Sequence, residues 1–406
     1  MALLILHVVE SVNPKHGGPI EGIRQQAHEH TFFGHSTEIA SLDSPSSSFL
    51  DFPGVKVHPL SLNIFDKFIP LSFYKWLNTN HYSYDAVIVN GIWNFLLITT
   101  WLALRKTDKP YFVFCHGMLD PWFNRTFPLK LLKKWLVWPW AIYPALRDAD
   151  AVFFTCEQEK ILARESFWLY DCNEVVVKYG TAGVPNPQAD YSVGFLQDHP
   201  NLATKEVFLF LGRVHPKKGA DLLLHAISLM QKEGSWNPNK MILVLAGPND
   251  NSYASQLVQL AEKLGISESL YWTGMITGDQ KWGAFQSAEA FVLPSHQENF
   301  GISVVEALSC GIPVLISKSI NISQEIEKDG AGIIEQDNVA GTTQLFKRWF
   351  ALDHRAKAKM RREARLSFEK RFHITETSRC ITGNIYLSIL ERSVLAKTTS
   401  GQRALK

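Results

Sequence analysis

Two short stretches carry residue types that can hold a polyanion and a polyol. The first is Gly212-Arg213-Val214-His215-Pro216-Lys217-Lys218-Gly219. Arg213 offers a planar fork for phosphate oxygens, and Lys218 a mobile point charge. The glycines allow a tight turn and close approach of backbone to a ligand. A solvated basic turn explains this stretch equally well when it stands alone. The second runs Pro294-Ser295-His296-Gln297-Glu298-Asn299-Phe300-Gly301-Ile302-Ser303-Val304-Val305-Glu306-Ala307-Leu308. Glu298 and Glu306 stand with seven residues between them. A carboxylate is a poor neighbour for phosphate and a good acceptor for vicinal hydroxyls. Amides at Asn299, Phe300, Gly301 and Ile302, where a helix starts, point at any anion. Together the two stretches suit two diols with a diphosphate between them, which describes a nucleotide sugar. The plainer reading makes Glu306 a helix-surface charge and Glu298 an ordinary loop acid.

The N-terminal half holds weaker signals of the same kind. Gly17-Gly18-Pro19 follows a first apolar run and precedes a helical pattern, so backbone amides there can approach a phosphate. A simple tight turn would look the same. His116 opens His-Gly-Met-Leu-Asp-Pro-Trp, which includes Asp120, and Asn90 begins Asn-Gly-Ile-Trp. Both follow apolar runs. Asp148-Ala149-Asp150 has the look of a metal-binding DxD, but it precedes an apolar run instead of following one. No acid cluster offers an octahedral oxygen site, so neither a metal nor a cofactor is expected.

These residues must be positioned by strands and helices. Apolar, β-branched or aromatic runs at 2–9, 85–89, 111–115 and 151–155 read as buried parallel strands. A second series reads at 207–211, 241–246, 269–273, 290–293 and 313–316. Helical patterns lie between, among them Gly219–Lys232 and Ser252–Leu264. Alternation of this kind implies doubly wound α/β sheets, whose ligands bind at strand C-terminal ends. Residues 183–205, rich in Pro, Asp and Asn, read as a linker. The domains expected are 1–190, 203–372, and a C-terminal segment 373–406 with a frayed tail.

Composition narrows the function class. At roughly 150 residues per domain, 406 residues predict two or three domains. With 41 Lys+Arg against 39 Asp+Glu the net charge is +2, which argues against a nucleic-acid partner. The basic excess is local. Residues 355–406 hold 13 Lys+Arg and 4 Asp+Glu, and 355–372 reads as a basic amphipathic helix whose charge is mostly a solvated face. Twelve tryptophans point weakly to a sugar-stacking or interfacial surface. The five cysteines are far apart and never in a CxxC pair, which fits a reducing compartment. The N-terminus has no basic n-region or cleavage site and reads as a strand. The longest membrane-like stretch, Trp135 to Leu146, is 12 residues with two prolines, against the ~20 needed to span a bilayer. Residues 125–147, with Lys130, Lys133, Lys134, Trp135, Trp138 and Trp140, suit either an anionic membrane surface or ordinary packing on the sheet. A cytoplasmic location, peripheral at the inner face of the membrane, is expected.

The order of these motifs resembles a known family. Glu298 and Glu306 match the E-x7-E motif of retaining glycosyltransferases with the GT-B fold. Gly212-Arg213 with Lys218-Gly219 matches the phosphate-binding segment of glycosyltransferase family 4, and Leu245-Ala246-Gly247-Pro248 and Trp272-Thr273-Gly274-Met275 look like that family's strand ends. The register holds from about residue 205 to 340. His116 matches the family's cleft histidine, and His-Gly-Met-Leu-Asp-Pro-Trp resembles members that build bacterial cell-surface polysaccharides.

The resemblance implies two Rossmann-like domains facing across a cleft, the acceptor on the N-terminal one and the nucleotide sugar on the other. It implies a last helix, near 373–396, returning to the N-terminal domain. It implies retaining, metal-independent transfer of a sugar, foremost glucose from UDP-glucose, to a saccharide or lipid-linked saccharide. It gives the diphosphate to Arg213, Lys218 and the helix start at Gly301, the transferred sugar to Glu298, the ribose to Glu306 and the base to the backbone near Met275. His116 and the amides at Gly18 fall near the sugar and its phosphate. GDP-mannose as donor, an epimerase or hydrolase on the same fold, and a non-catalytic nucleotide-sugar-binding protein stay open. A pyridoxal-dependent phosphorylase does not fit the length.

Overall fold

A computed structural model describes the backbone of residues 2–14, 18–61, 66, 69–122 and 128–403, and their side chains except those of 128–131 and 395–403. Contacts divide the chain into two compact units, residues 1–180 with 374–406 and residues 181–373.

The first unit is built on a seven-stranded sheet. Its strands are β1 (Leu4–Val9), β2 (Ser36–Ser41), β3 (Lys56–Pro59), β4 (Ala86–Asn90), β5 (Tyr111–Phe114), β6 (Ala151–Phe154) and β7 (Glu174–Val176). Their spatial order is β3-β2-β1-β4-β5-β6-β7, and every pairing is parallel. The second unit holds β8 (Glu206–Leu211), β9 (Met241–Ala246), β10 (Leu270–Gly274), β11 (Ala288–Leu293), β12 (Val314–Ser317) and β13 (Gly332–Glu335). Their order is β10-β9-β8-β11-β12-β13, again all parallel. Helices cover both faces, so central strands bury both sides. All of β4, β5 and β12 is buried, which is why these segments read as continuous apolar runs.

Each sheet reverses its direction of growth once, between β1 and β4 and between β8 and β11. The connections leave those two strand pairs in opposite directions, and a crevice opens at their C-terminal ends. Arg213 and Lys218 leave the end of β8, and Glu298 that of β11. Asn90 ends β4, and His116 follows β5 by two residues.

Several elements differ from the sequence expectation. Strands β2, β3, β7 and β13 were not evident, because β2 is mostly polar and the other three are short, each carrying a charged residue. Residues 183–205 are not a free linker but part of the second unit. The Val184 amide donates to Ser309 Oγ at 3.1 Å and the Tyr191 amide to Gln286 Oε1 at 2.6 Å. A short helix, Ser192–Asp198, follows and buries Phe195. The final helix, Ile374–Arg403, packs within the first unit: Thr375 donates to Glu29, and Arg392 forms a two-pronged pair with Asp150 at 2.8 Å. The helix runs on through residues 398–403, where the sequence suggested fraying.

One glycine sets how closely the two site loops approach. Gly219 has φ +68°, and a Cβ on it would lie 2.3 Å from the carbonyl oxygen of Pro294, where β11 ends. Gly330 has the same φ with nothing within 4 Å. Gly330→Ala should therefore cost only the left-handed penalty, ~1–2 kcal/mol. Gly219→Ala should add a steric cost of ~1–3 kcal/mol. Denaturant titration of both variants reads the difference, and equal losses would mean that the loops part without resistance.

Candidate active site

The turn after β8 is fixed by its own backbone. The amides of Lys218 and Gly219 donate to the carbonyls of His215 and Pro216, and His215 Nδ1 accepts from the Lys217 amide at 3.1 Å. Burial and the neighbouring Arg213, Lys217 and Lys218 hold the His215 imidazole below its ordinary range. The turn is stitched to the β11 loop, where the His296 amide donates to the Lys217 carbonyl at 2.9 Å. At β9 and β10 the strand ends close in the same way: the Gly212 amide donates to Ala246 and the Gly247 amide to Gly274, both at 2.9 Å. A Cβ on Gly247 would sit 1.9 Å from the Gly212 carbonyl oxygen, so only glycine fits there.

This stitching brings Lys218 and Glu298 together as an ion pair, both largely shielded from solvent. Glu298 is further pinned to the loop after β12. Its amide donates to the Ser319 carbonyl at 3.1 Å, and its carbonyl accepts from the Asn321 amide at 3.0 Å. Glu306 lies in the helix Ile302–Ser309 and is buried. Its carboxylate pairs with Lys281 Nζ at 2.8 Å, and that ammonium lies 4.2 Å from the Trp282 ring. The helix opens on Gly301 in the left-handed conformation with no side chain capping it, so its first amides have no intrahelical acceptor.

The remaining candidates of this unit are spread more widely. Arg213 is exposed, forms no ion pair among the described residues, and lines a pocket with His215, Pro248, Asn251 and Tyr253. It does not join the Lys218–Glu298 pair. Asn299 Oδ1 accepts from Asn321 at 3.3 Å, and Phe300 is buried with its ring 5.9 Å from Phe372. Met275 is exposed.

In the first unit His116 and Asn90 form an uncharged pair. His116 is half-buried, with its Nε2 3.1 Å from Asn90 Oδ1 and its ring stacked on Phe114 at 4.7 Å. Asn90 is itself buried, and its amide is committed to protein partners. Asp120 is buried and accepts from the Trp122 amide at 2.8 Å. Gly18 begins the helix Gly18–Phe32, and Gly17 lies outside the described residues. Asp148 and Asp150 are taken by Trp101, the Tyr111 amide and Arg392. Among the described residues no group of three His, Cys, Asp or Glu side chains could hold a metal.

Three residues of these clusters escaped sequence reading. Lys281 carries no local signal, because its partner lies 25 residues away. His7 sits inside an apolar strand. Glu159 has a faint signal, an acid in the first turn of the helix Glu157–Arg164. Its buried carboxylate accepts the Gly117 amide and the Thr155 amide and hydroxyl, each at 2.6 Å.

Burial pushes His7 down to about 3, and His30 and His116 down to about 4. The unfolded chain protonates such rings near pH 6.5. Between about 6.5 and 4 the unfolded state therefore binds more protons, and stability falls as pH drops through that window. Each ring contributes a slope of ~1.4 kcal/mol per pH unit. Denaturant unfolding at pH 7.5, 6 and 5 should show this, and His30→Gln should remove about one ring's share of the slope. An unchanged slope in that variant would mean that the ring is protonated in the fold.

Comparison with known proteins agrees with this geometry. Residues 17–180 match the glycosyl transferase 4-like domain, and residues 195–366 match glycosyl transferases group 1. A D-inositol 3-phosphate glycosyltransferase of Streptomyces bingchenggensis is 30% identical over 129 residues, which is 31% of this chain and 28% of that relative's length. Sucrose-phosphate synthase of Thermosynechococcus elongatus superposes with TM-score 0.74 at 17% identity, covering 97% of this chain and 100% of that one. Anabaena Alr3699/HepE, solved in complex with UDP-glucose, gives TM-score 0.73 at 16% identity, covering 95% and 99%. With both halves matched in order on two doubly wound parallel sheets, the chain belongs to the family 4 glycosyltransferases and has the GT-B fold.

Proposed function

We propose that this chain transfers a glycosyl group, with retention of configuration, from a nucleoside diphosphate sugar to a hydroxyl of a saccharide or lipid-linked saccharide in cell-surface polysaccharide synthesis. The observation that carries the reading is the cluster at the end of β8 and β11, where Lys218 meets Glu298 beside an uncapped helix start. UDP-glucose is the first donor to try, since Anabaena HepE was solved with it. GDP-mannose is the second.

The chemistry follows from charge. As the sugar–phosphate bond breaks, negative charge grows on the diphosphate. Lys218 has three N–H donors, so it can keep Glu298 and still serve a phosphate oxygen. Arg213 and the first amides of the helix Ile302–Ser309 supply the rest, and no metal ion takes part. Glu298 accepts from hydroxyls of the sugar and Glu306 from the ribose. The acceptor oxygen attacks the anomeric carbon from the face the diphosphate leaves. The departing phosphate oxygen takes the acceptor's proton, which balances the step without a side-chain nucleophile.

The test is a transfer assay over a panel of nucleotide sugars in excess EDTA. Transfer from one donor should persist, and loss of activity restored by Mg²⁺ would sink the metal-free reading. Turnover of donor without acceptor would instead favour an epimerase or hydrolase. Titration calorimetry separates the two acids. Glu298→Gln should leave affinity for the free nucleoside diphosphate nearly intact and cripple transfer. Glu306→Gln should weaken nucleotide and nucleotide sugar alike, by ~1–3 kcal/mol. The reverse pattern would exchange the two roles.

A lipid-linked acceptor would bring the protein to a membrane surface, and residues 128–147 suit one. Trp138 belongs to the core, stacked on Phe167 at 4.0 Å. Leu132, Trp135, Leu136, Val137 and Trp140 are instead exposed, Trp140 by 81%. Lys133 and Lys134 lie among them, and residues 121–147 contain no Asp or Glu. An apolar face flanked by cations fits an anionic bilayer, at ~1 kcal/mol per basic residue. Among the described residues no helix is long and apolar enough to cross a membrane. Flotation with phosphatidylglycerol vesicles should carry the protein upward, and neutral phosphatidylcholine vesicles should do so far less. The Leu136→Ser/Trp140→Ser variant should lose the effect. Equal flotation of that variant would move the contact elsewhere.

A further inference from the structure

His116 holds a backbone conformation that most residues avoid. Its φ is +49°, and Gly117 follows at φ +75°. A non-glycine residue there costs ~1–2 kcal/mol, so the fold must hold it in place. Two groups do so. Buried Glu159 grips the Gly117 amide from behind, itself anchored on Thr155. In front, Asn90 meets the ring at Nε2.

The orientation of the Asn90 amide follows from its other contacts. One end lies 3.4 Å from the Val8 carbonyl oxygen and 3.3 Å from that of Ile88. Both are acceptors only, so this end must be the NH2 group. The same group faces His7 Nδ1 at 3.3 Å. The amide oxygen is then the end 3.1 Å from His116 Nε2, and Nε2 must carry a hydrogen. Burial holds the ring near a pKa of about 4, so at neutral pH it has one hydrogen only. Nδ1 is therefore bare. It has no partner among the described residues and is not sealed from solvent. Among the described residues the titratable neighbours include His7 on β1, the adjacent Cys115, Tyr179 with its ring 6.2 Å away, and Glu159 behind the turn.

We infer that Asn90 is a positioning residue that fixes His116 as the Nε2–H tautomer, the form whose bare Nδ1 can accept from a hydroxyl of the transferred sugar, beside which the family resemblance already places this ring. A bare nitrogen repels phosphate oxygens, so the ring faces a hydroxyl and not the diphosphate. Donation from Nε2 to an amide oxygen also makes Nδ1 a better acceptor. The contact with a sugar rests on the glycosyl-transfer reading. The tautomer does not.

Full-length protein labelled with ¹⁵N-histidine tests the tautomer directly, with the His116 signals assigned from His116→Asn. The two-bond ¹H–¹⁵N pattern at pH 7.5 should be that of Nε2–H. Asn90→Leu should give mixed tautomers. Asn90→Gln, which keeps an amide oxygen for Nε2–H and an NH2 group for the carbonyls, should retain the single form. Kinetics then tests the partner. Asn90→Leu should lower kcat/KM by about 10–100-fold on the full donor. That loss should vanish on the one deoxy-sugar donor lacking the partner hydroxyl, and persist on the other deoxy donors. An Nδ1–H pattern in the wild type would overturn the inference, and so would an equal loss on every deoxy donor. If Asn90→Leu fails to fold, Asn90→Gln carries the same donor comparison, with near-wild-type ratios expected and an altered ratio on all donors overturning the inference. Absence of transfer from every nucleotide sugar by the wild type would sink the glycosyl-transfer reading and the hydroxyl partner with it, while the spectrum still decides the tautomer.

Discussion

Because every strand of both sheets runs parallel to its neighbours, each connection must cross a face of the sheet before the next strand begins. All loops leaving strand C-terminal ends therefore gather on one edge. Where the order of growth reverses, two of those loops diverge and leave room between them. Lys218 and Glu298 are 80 residues apart and meet only because β8 and β11 are neighbours at such a reversal. Asn90, His7 and His116 meet on the same principle, since β1 pairs with β4 and β4 with β5. The identity of each side chain matters only once this topology has delivered it to the edge.

The two edges differ in electrical character. In the second unit the candidates are formal charges held in pairs, Lys218 with Glu298 and Lys281 with Glu306. Pairing offsets the desolvation each charge suffers in a half-buried site. It also couples the residues: removing one partner leaves the other unpaired, so single substitutions overstate each side chain's own contribution. In the first unit the histidines and Asn90 are neutral, with the carboxylates of Asp120 and Glu159 taken up by backbone amides. His7 and His116 are both held below their ordinary range by burial, and an amide joins them. Paired charges suit the handling of a diphosphate, and an uncharged imidazole suits hydroxyls.

Much of this was legible in sequence, for identifiable reasons. Strands buried on both faces show as apolar runs, so most of the central strands could be read to within a residue or two. β2, reading Ser-Thr-Glu-Ile-Ala-Ser, and β3, which ends on Pro59, lie toward the edge of their sheet and lack that run. Glu298, Glu306, Arg213 and Lys218 could be named because each sits in a short motif next to a strand. Their pairing could not be seen, because strand order is not written in any local period. Lys281 was missed for the same reason, and so was the hold of Glu159 on the Gly117 amide, 42 residues away. The stretch 183–205 misled, because its prolines and polar residues look alike in a free linker and in a loop docked on a helix.

Left-handed backbone and close approach occur at the C-terminal edge of each sheet, among other places. Gly219 and Gly301 adopt left-handed backbone, and Gly247 admits the Gly212 carbonyl at a distance no side chain could tolerate. His116 adopts such a conformation without being glycine. A glycine there would relieve the strain but leave no ring to present. The fold instead keeps the imidazole and spends a buried carboxylate and a buried amide on holding it. Glu159 must lose its hydration to do so, and short hydrogen bonds from Gly117 and Thr155 offset that loss. Such an arrangement contributes little to stability that an apolar residue could not match. What it provides is a single orientation of one ring, which is the requirement of a residue that must meet a particular atom of a ligand.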